Sequence, residues 1–152
     1  MLMLKGIDPL LTPELLKVLC EMGHGDEVVF ADANFTAETL GRGKPVIRLP
    51  GVGLQRACAA LLSVFPLDAA VARPVAYMKV CESPAGFVSG VQQAVLDVLA
   101  STSAIAPAQC EALDRFAFYE RVQLAYAIVQ TGEQQPWANF SFKKGVIADA
   151  LT

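Results

Sequence analysis

Short apolar segments typical of β-strands alternate along this chain with longer segments of helical periodicity, and this alternation is what most constrains its fold. Strands are predicted at residues 28–31, 45–49, 75–80, 127–131 and 139–142, and helices at 13–22, 53–65, 87–99 and 116–125. Thr12 and Pro13 form a typical helix start, with an N-cap hydroxyl followed by a proline in the first turn. The alternation predicts one α/β domain over residues 1–152, a layered domain with a central β-sheet flanked by helices.

The chain is apolar for its size, since 54% of its 152 residues are hydrophobic and only 18% are charged. Its longest uncharged stretch, residues 83–96, contains serine, glutamine and glycine. That stretch is shorter than the roughly 18 apolar residues that a membrane span needs, so no membrane segment is predicted. An apolar surplus without a span favours a large interface between subunits, and we expect a homo-oligomer.

Other features of the composition exclude several classes of function. Basic residues are scattered and the net charge is -3, so nucleic-acid binding is not expected. No basic segment precedes an apolar block at the N-terminus, which predicts a cytoplasmic protein. Neither a cluster of metal ligands nor a complete nucleotide-binding motif is present, so no metal or nucleotide cofactor is predicted. The wide spacing of four cysteines in apolar surroundings predicts core thiols in a reducing compartment: Cys20, Cys58, Cys81 and Cys110.

The chain has a single histidine, His24, in the segment Gly23–Asp26 between the first predicted helix and the first predicted strand. A histidine beside a helix end can exchange protons near neutral pH, but it can equally cap the last carbonyls of that helix. Asp32 ends the apolar strand 28–31, where open α/β sheets tend to bind ligands, and it can equally cap the turn that follows. The residues alone leave both interpretations open for His24 and for Asp32.

Two further groups have the chemistry to hold a polyhydroxylated ligand. Arg115 and Tyr119 are spaced to share one face of a helix and could offer several donors, although a surface ion pair is the common role of an exposed arginine. In the triplet Trp137-Ala138-Asn139 the indole face can stack on the C–H groups of a sugar, and the amide can bind hydroxyls. A lone tryptophan is otherwise typical of a core or an interface.

Together these segments resemble the RbsD/FucU family of sugar mutarotases, and the fucose mutarotases more than the ribose pyranases. The block at residues 115–121 is the most specific, because ribose pyranases usually have a histidine where Arg115 stands. The resemblance covers nearly the whole chain, and it rests on residues 5–19, 21–27, 32–35, 115–121, 131–133, 137–139 and 143–146.

The resemblance implies an RbsD-like fold and an isomerase that interconverts the α and β anomers of a monosaccharide, with L-fucose as the expected sugar and no cofactor. Members of the family assemble into rings, commonly decamers of two stacked pentamers, and a neighbouring subunit completes each site. The family's catalytic histidine falls on His24, and its substrate-binding residues fall on Asp32, Arg115, Trp137, Ala138 and Asn139. Trp137 departs from the tyrosine that is usual at its position, which bears on sugar preference.

This chemistry needs only an acid and a base, because mutarotation protonates the ring oxygen while the anomeric hydroxyl loses its proton. His24 is the expected proton donor, Asp32 is expected to bind hydroxyls or to orient His24, and Tyr119 is a candidate to relay the anomeric proton. Two alternatives remain. One is a D-ribose pyranase or a mutarotase of another sugar, and the other is a monosaccharide-binding protein without catalysis, accessory to sugar transport.

Overall fold

The computed structural model describes residues 4–148, and it confirms the predicted central sheet with flanking helices. The predicted domain also includes residues 1–3 and 149–152, which lie outside the described residues. The first three of these residues also belong to the N-terminal segment from which a cytoplasmic protein was predicted. None of the helices between residues 4 and 148 is long and apolar enough to cross a membrane. The helices are α1 (Pro13–Glu21), α2 (Ala37–Leu40), α3 (Leu54–Leu62), α4 (Gly90–Ser103) and α5 (Arg115–Gln123). The strands are β1 (Glu27–Ala31), β2 (Val46–Leu49), β3 (Val75–Met78), β4 (Cys110–Leu113), β5 (Ala127–Thr131) and β6 (Phe140–Lys143).

These six strands form one mixed sheet in the order β2-β5-β1-β6-β3-β4. The pairs β1–β5, β2–β5 and β3–β4 are parallel, whereas β6 is antiparallel to both β1 and β3. The carboxyl ends of β1 to β5 and the amino end of β6 therefore meet at the same end of the sheet. We call this the carboxyl end of the sheet, and it is where ligands bind in many open α/β folds.

Both faces of the sheet are covered, because alternate side chains along each strand enter two separate cores. Along β1, Val28 and Phe30 pack in the core that includes residues of α1, α3 and α4. Val29 and Ala31 pack in the opposite core, which α2 and α5 cover with side chains such as Phe118. Strands buried on both faces need apolar residues at every position, and this accounts for part of the chain's high apolar content.

The predicted strands and helices are confirmed, with boundaries that move by up to four residues. The helix predicted from residue 87 begins at Gly90, because Ser89 and Gln92 form a capping box at its start. Two elements have no counterpart in the sequence predictions, namely α2 and β4. α2 is only four residues long, and β4 is an edge strand in which Glu111 interrupts the apolar pattern.

The prediction that all four cysteines lie in the core is wrong. Cys58 is buried, but Cys20 and Cys81 are exposed and Cys110 is only partly covered. Cys20 directly follows the buried Leu19 on α1, and one residue of an α-helix rotates the side chain by about 100° toward solvent. An apolar neighbour in sequence is therefore a poor guide to burial within a helix.

An ion-pair network joins the end of α5 to the sheet. The Nη2 atom of Arg121 lies 2.8 Å from Oε1 of Glu27, and its Nη1 atom lies 3.2 Å from Oε2 of Glu111. The side chains of Arg121 and Glu27 are only 21% and 11% exposed. Arg115 and Tyr119 lie nearer the start of the same helix.

Arg121→Met is expected to lower the free energy of unfolding by about 2 kcal/mol, since it leaves the poorly solvated carboxylate of Glu27 without its cation. Urea unfolding followed by circular dichroism measures the change. Lys17→Met is the matched control, because Lys17 pairs with Glu21 on an exposed surface, where water screens the pair and its loss should change stability little. Equal losses of unfolding free energy in the two variants would contradict a structural role for the Arg121 network.

Candidate functional site

At the carboxyl end of the sheet, segments from several parts of the chain surround a cavity of about 210 Å³. These segments are the loop after β1, the end of β3, the start of α5 and the residues before β6. The cavity is smaller than the roughly 300–1,000 Å³ typical of sites for drug-sized ligands, so it fits a small molecule. Five of the predicted site residues line it together: Asp32, Arg115, Tyr119, Trp137 and Asn139.

Asp32 is the buried acid of this cavity, with only 3% of its surface exposed. Its Oδ1 accepts a hydrogen bond from the Asn34 N–H at 3.0 Å, and its Oδ2 accepts one from the Ala138 N–H at 3.1 Å. Burial raises the pKa of Asp32 above its usual range, although the N–H groups of Ala138 and Asn34 oppose that rise. Asp32 thus both caps the following turn and lines the cavity.

The loop after β1 is held by Gln130, a buried side chain of β5 that the sequence analysis did not select. Its Nε2 donates to the carbonyls of Ala33 at 3.1 Å and Phe35 at 3.0 Å, and its Oε1 accepts from Arg48. The signal in the sequence was a glutamine inside the apolar run 127–131, because a buried amide must find hydrogen-bond partners.

Arg115 and Tyr119 share one helix face, as their spacing predicted. The Nε of Arg115 donates to Oη of Tyr119 at 2.9 Å, and the guanidinium carbon lies 5.3 Å from the centre of the phenol ring. The Tyr119 ring in turn packs edge-on against Phe35, with the ring centres 5.8 Å apart. In the described chain the hydrogen-bonding partner of Arg115 is therefore a phenol rather than a carboxylate, and its two terminal nitrogens are available to a ligand.

The triplet before β6 contributes three different groups. Trp137 lines the cavity with its side chain and has a φ of 62°, in the left-handed region, which costs a side-chain-bearing residue roughly 1–2 kcal/mol. Ala138 is fully buried and contributes its backbone N–H to Asp32. The Oδ1 of Asn139 accepts the backbone N–H of Asp32 at 2.8 Å, and its Nδ2 lies 3.8 Å from Met78 Sδ, a weak acceptor. The amide of Asn139 is thus better placed to donate to a ligand than to accept.

His24 is not part of this cavity in the same chain. Its Nε2 lies 3.0 Å from Oδ1 of Asp68, a carboxylate whose side chain is only 5% exposed. His24 itself is half exposed, so the other ring nitrogen is open to solvent. Asp68 lines a separate cavity of about 430 Å³. Asp68 was not among the residues predicted for the site, although an acid within the apolar stretch 64–71 was a signal of the same kind as Asp32.

The interpretation of His24 as a helix cap is wrong, because Lys144 caps the last carbonyls of α1 instead. The Nζ of Lys144 donates to the carbonyls of Leu19 at 2.7 Å and Met22 at 2.6 Å, at the end of α1. The turn around His24 is shaped instead by Gly25, whose φ of 89° lies in the left-handed region. His24 is left with Asp68 as its partner.

His24 and Asp32 lie beyond opposite ends of β1. At about 3.3 Å per residue, the strand from Glu27 to Ala31 alone separates them by about 13 Å. Asp32 therefore does not orient His24 within one chain, and Asp68 is the carboxylate that contacts it. Any site that combines His24 with the cavity needs two copies of the chain.

Asp68 gives the protein a testable pH dependence. The hydrogen bond with His24, assisted by the Ala70 N–H, holds the pKa of Asp68 below its usual value of 3.8. The folded state then binds this proton less readily than the unfolded state, so ionised Asp68 stabilises the fold above pH 3.8, and this contribution is lost as the pH falls through the folded pKa. We expect the free energy of unfolding, measured with urea, to decrease more between about pH 5 and pH 2 for the wild type than for Asp68→Asn. Parallel stability curves would contradict the contact.

No three histidine, cysteine, aspartate or glutamate side chains among residues 4–148 are grouped so that they could hold a metal ion together. The polar side chains that line the cavity are one carboxylate, one guanidinium, one phenol and the two primary amides of Asn34 and Asn139. All of these groups can form hydrogen bonds with hydroxyls.

The fold and the cavity define a class of protein: a single α/β domain whose mixed six-stranded sheet carries a small polar site with an aromatic wall at its carboxyl end. The model of the RbsD / FucU transport protein family matches residues 5–147. The chain belongs to this family.

Several similar proteins are named as fucose mutarotases. An L-fucose mutarotase of Glaesserella parasuis serovar 5 (strain SH0165) is 44% identical over 144 residues, which cover 95% of this chain and 96% of that protein. The crystal structure of the fucose mutarotase from Streptococcus pneumoniae in complex with L-fucose has a TM-score of 0.87 and 35% identity, over 95% of this chain and 100% of that chain. FucU from Bifidobacterium longum has a TM-score of 0.89 and 38% identity, over the same shares.

Proposed function

We propose that this protein is an isomerase that interconverts the α and β anomers of L-fucose. The cavity carries the proposal, because it combines a buried carboxylate, a guanidinium–phenol pair and an indole ring in a space that fits a small ligand. Carboxylate and guanidinium groups bind hydroxyls, and an indole face stacks on sugar C–H groups. Relatives named L-fucose mutarotase support the choice of sugar, as does the Streptococcus pneumoniae complex with L-fucose.

In the proposed mechanism the sugar ring opens by a coupled transfer of protons. His24 donates a proton to the ring oxygen while the bond to the anomeric carbon breaks, and the anomeric hydroxyl loses its proton as the aldehyde forms. The Tyr119 oxygen accepts that proton while its own phenol proton passes to solvent water, and Nε of Arg115 lies 2.9 Å from the same oxygen. Rotation about the first carbon–carbon bond and the reverse transfers then close the ring on the other face. These steps need no cofactor, because they move only protons.

The other residues of the cavity hold the sugar during this exchange. The Asp32 carboxylate accepts hydrogen bonds from hydroxyls, and the terminal nitrogens of Arg115 and the amide of Asn139 donate to them. Trp137 stacks on the apolar face of the ring, and Ala138 keeps the carboxylate in place through its N–H.

Assembly into a ring, expected as a decamer of two stacked pentamers, is part of this proposal, with each site shared by two subunits. His24 and Asp68 lie at the opposite end of the sheet from the cavity of their own chain, so His24 must serve the cavity of a neighbour. Exposed apolar side chains support an assembled state, because Phe116, Leu124 and Ile147 are 70%, 86% and 80% exposed. We also propose that the protein acts in the cytoplasm, where its four free cysteines would stay reduced.

NMR exchange spectroscopy on equilibrated L-fucose tests the function directly, with D-ribose and D-galactose measured alongside and each sugar without protein as the control. We expect magnetisation transfer between the L-fucose anomers to be accelerated by about 10²-fold or more. Faster exchange of D-ribose than of L-fucose would support the ribose pyranase alternative. Broadened sugar lines without any accelerated transfer would overturn the enzyme proposal and leave a sugar-binding protein accessory to transport.

A further inference from the structure

Trp137 has a left-handed backbone conformation, and the peptide group between Trp137 and Ala138 has two hydrogen-bonding partners. The carbonyl of Trp137 accepts a hydrogen bond from Nε2 of Gln92 at 2.8 Å. The N–H of the same peptide group, which belongs to Ala138, donates to Oδ2 of Asp32 at 3.1 Å. Because a peptide group is planar and rigid, this single unit links Gln92 to the carboxylate of the cavity.

Gln92 lies on α4 and is fully buried, and its whole amide group is engaged. Besides Trp137, Nε2 donates to the carbonyl of Met78 at 2.8 Å, and Oε1 accepts the Ser89 N–H at 3.0 Å. Gln92 does not line the cavity, but Met78 and Trp137 both do. A buried amide that is bonded to two walls of a site and to the start of its own helix acts as a rigid anchor for those walls.

We propose that Gln92 is a positioning residue for the sugar site, which fixes the Trp137–Ala138 peptide and through it the indole face and the Asp32 carboxylate. Without the Gln92 donor, the partly buried Trp137 carbonyl loses this partner and the left-handed residue can relax. The peptide then turns, and its N–H no longer meets Asp32. This inference rests on the proposed function only in taking the ligand to be L-fucose.

Gln92→Met tests the proposal, because methionine has nearly the shape of glutamine and no donor. Trp137 is the only tryptophan in the sequence, so the fluorescence of the protein reports on that residue. We expect KM for L-fucose to rise about tenfold or more, kcat to change by less than about threefold, and the emission to shift to longer wavelength.

Val95→Ala is the matched control, since Val95 is buried on the same helix and does not line the cavity. It should lower stability but leave KM and the emission unchanged. If Gln92 has only a structural role, both variants will lose stability while Gln92→Met keeps the KM and emission of the wild type, and that result would overturn the proposal.

Hydrogen exchange on the wild type tests the same anchor without any substitution and decides the case if Gln92→Met fails to fold, because the Nε2 hydrogens of Gln92 should be protected by their two carbonyl partners and the Ala138 N–H by Asp32. The Ala138 N–H should exchange as slowly as the amides of β6, whereas the Gln135 N–H, bonded to an exposed part of the same loop, should exchange quickly. Fast exchange at Ala138 would overturn the proposal. If the wild type does not accelerate L-fucose exchange, the proposed function fails, and the amide exchange and fluorescence still decide the role of Gln92.

Discussion

His24→Ala is expected to return the exchange of L-fucose anomers close to its uncatalysed rate, a loss of about 10²–10⁴-fold that matches the usual contribution of a general acid. The fold should survive, because the His24 side chain is half exposed and its contact to Asp68 is its only side-chain hydrogen bond among the described residues. NMR exchange spectroscopy measures the rate, and L-fucose titration of Trp137 fluorescence measures binding. Loss of binding in parallel with loss of exchange would assign His24 to binding alone.

A mixing experiment tests whether His24 serves the cavity of a neighbouring subunit. His24→Ala and Asp32→Asn should each be nearly inactive, but co-expression of the two should restore about one quarter of the wild-type activity, since one interface in four then joins an intact His24 to an intact Asp32. His24→Ala with Asp68→Asn is the control: because both residues lie in one subunit at the same end of the sheet, this mixture should have no more than the mean activity of its two parent variants. Failure of the first mixture to exceed the activity of its own parents would contradict a shared site.

Asp32→Asn is expected to lower kcat/KM for L-fucose by about 10²-fold and the free energy of unfolding by about 1–3 kcal/mol. Both carboxylate oxygens accept backbone N–H groups, from Asn34 and Ala138, whereas an asparagine offers one oxygen and turns its NH₂ toward the other donor. The loop after β1 and the triplet before β6 are thus pushed apart at the site itself. Exchange spectroscopy and urea unfolding measure the two effects.

Asp97→Asn is the charge-matched control for this prediction. Asp97 lies on the exposed face of α4, where its carboxylate accepts only from Gln93, and it does not line the cavity. Its substitution should change neither kcat/KM nor stability by a measurable amount. If Asp32→Asn behaved in the same way, the cavity described here would not be the site of reaction.

The positions of most secondary structure elements could be predicted because their causes lie within a few neighbouring residues. Thr12 caps α1 through a hydrogen bond from the N–H of Leu15, and the spacing of Arg115 and Tyr119 on α5 does bring their side chains together. The exposed edge strand β4 could not be found in this way, since it forms only because β3 offers it a free edge.

The candidate site, too, could be predicted only in part from the sequence. The residue types of the cavity were visible in the sequence, because an acid that ends an apolar strand needs a hydrogen-bonding partner or a ligand wherever it is buried. The hydrogen-bonding partners were not visible. Asp68 lies 44 residues from His24, and Gln92 lies 45 residues from Trp137, so only the register of the sheet and the packing of α4 bring each pair into contact.

By itself, the sequence determined the alternation of strands and helices, the apolar faces that bury the sheet, and the groups available for binding a sugar. The tertiary structure decided that Asp32, Arg115, Trp137 and Asn139 share one cavity while His24 stands at the other end of the sheet with Asp68. The physical reason is that local patterns set conformation over a few residues, whereas strand order and direction set which end of the sheet each loop occupies.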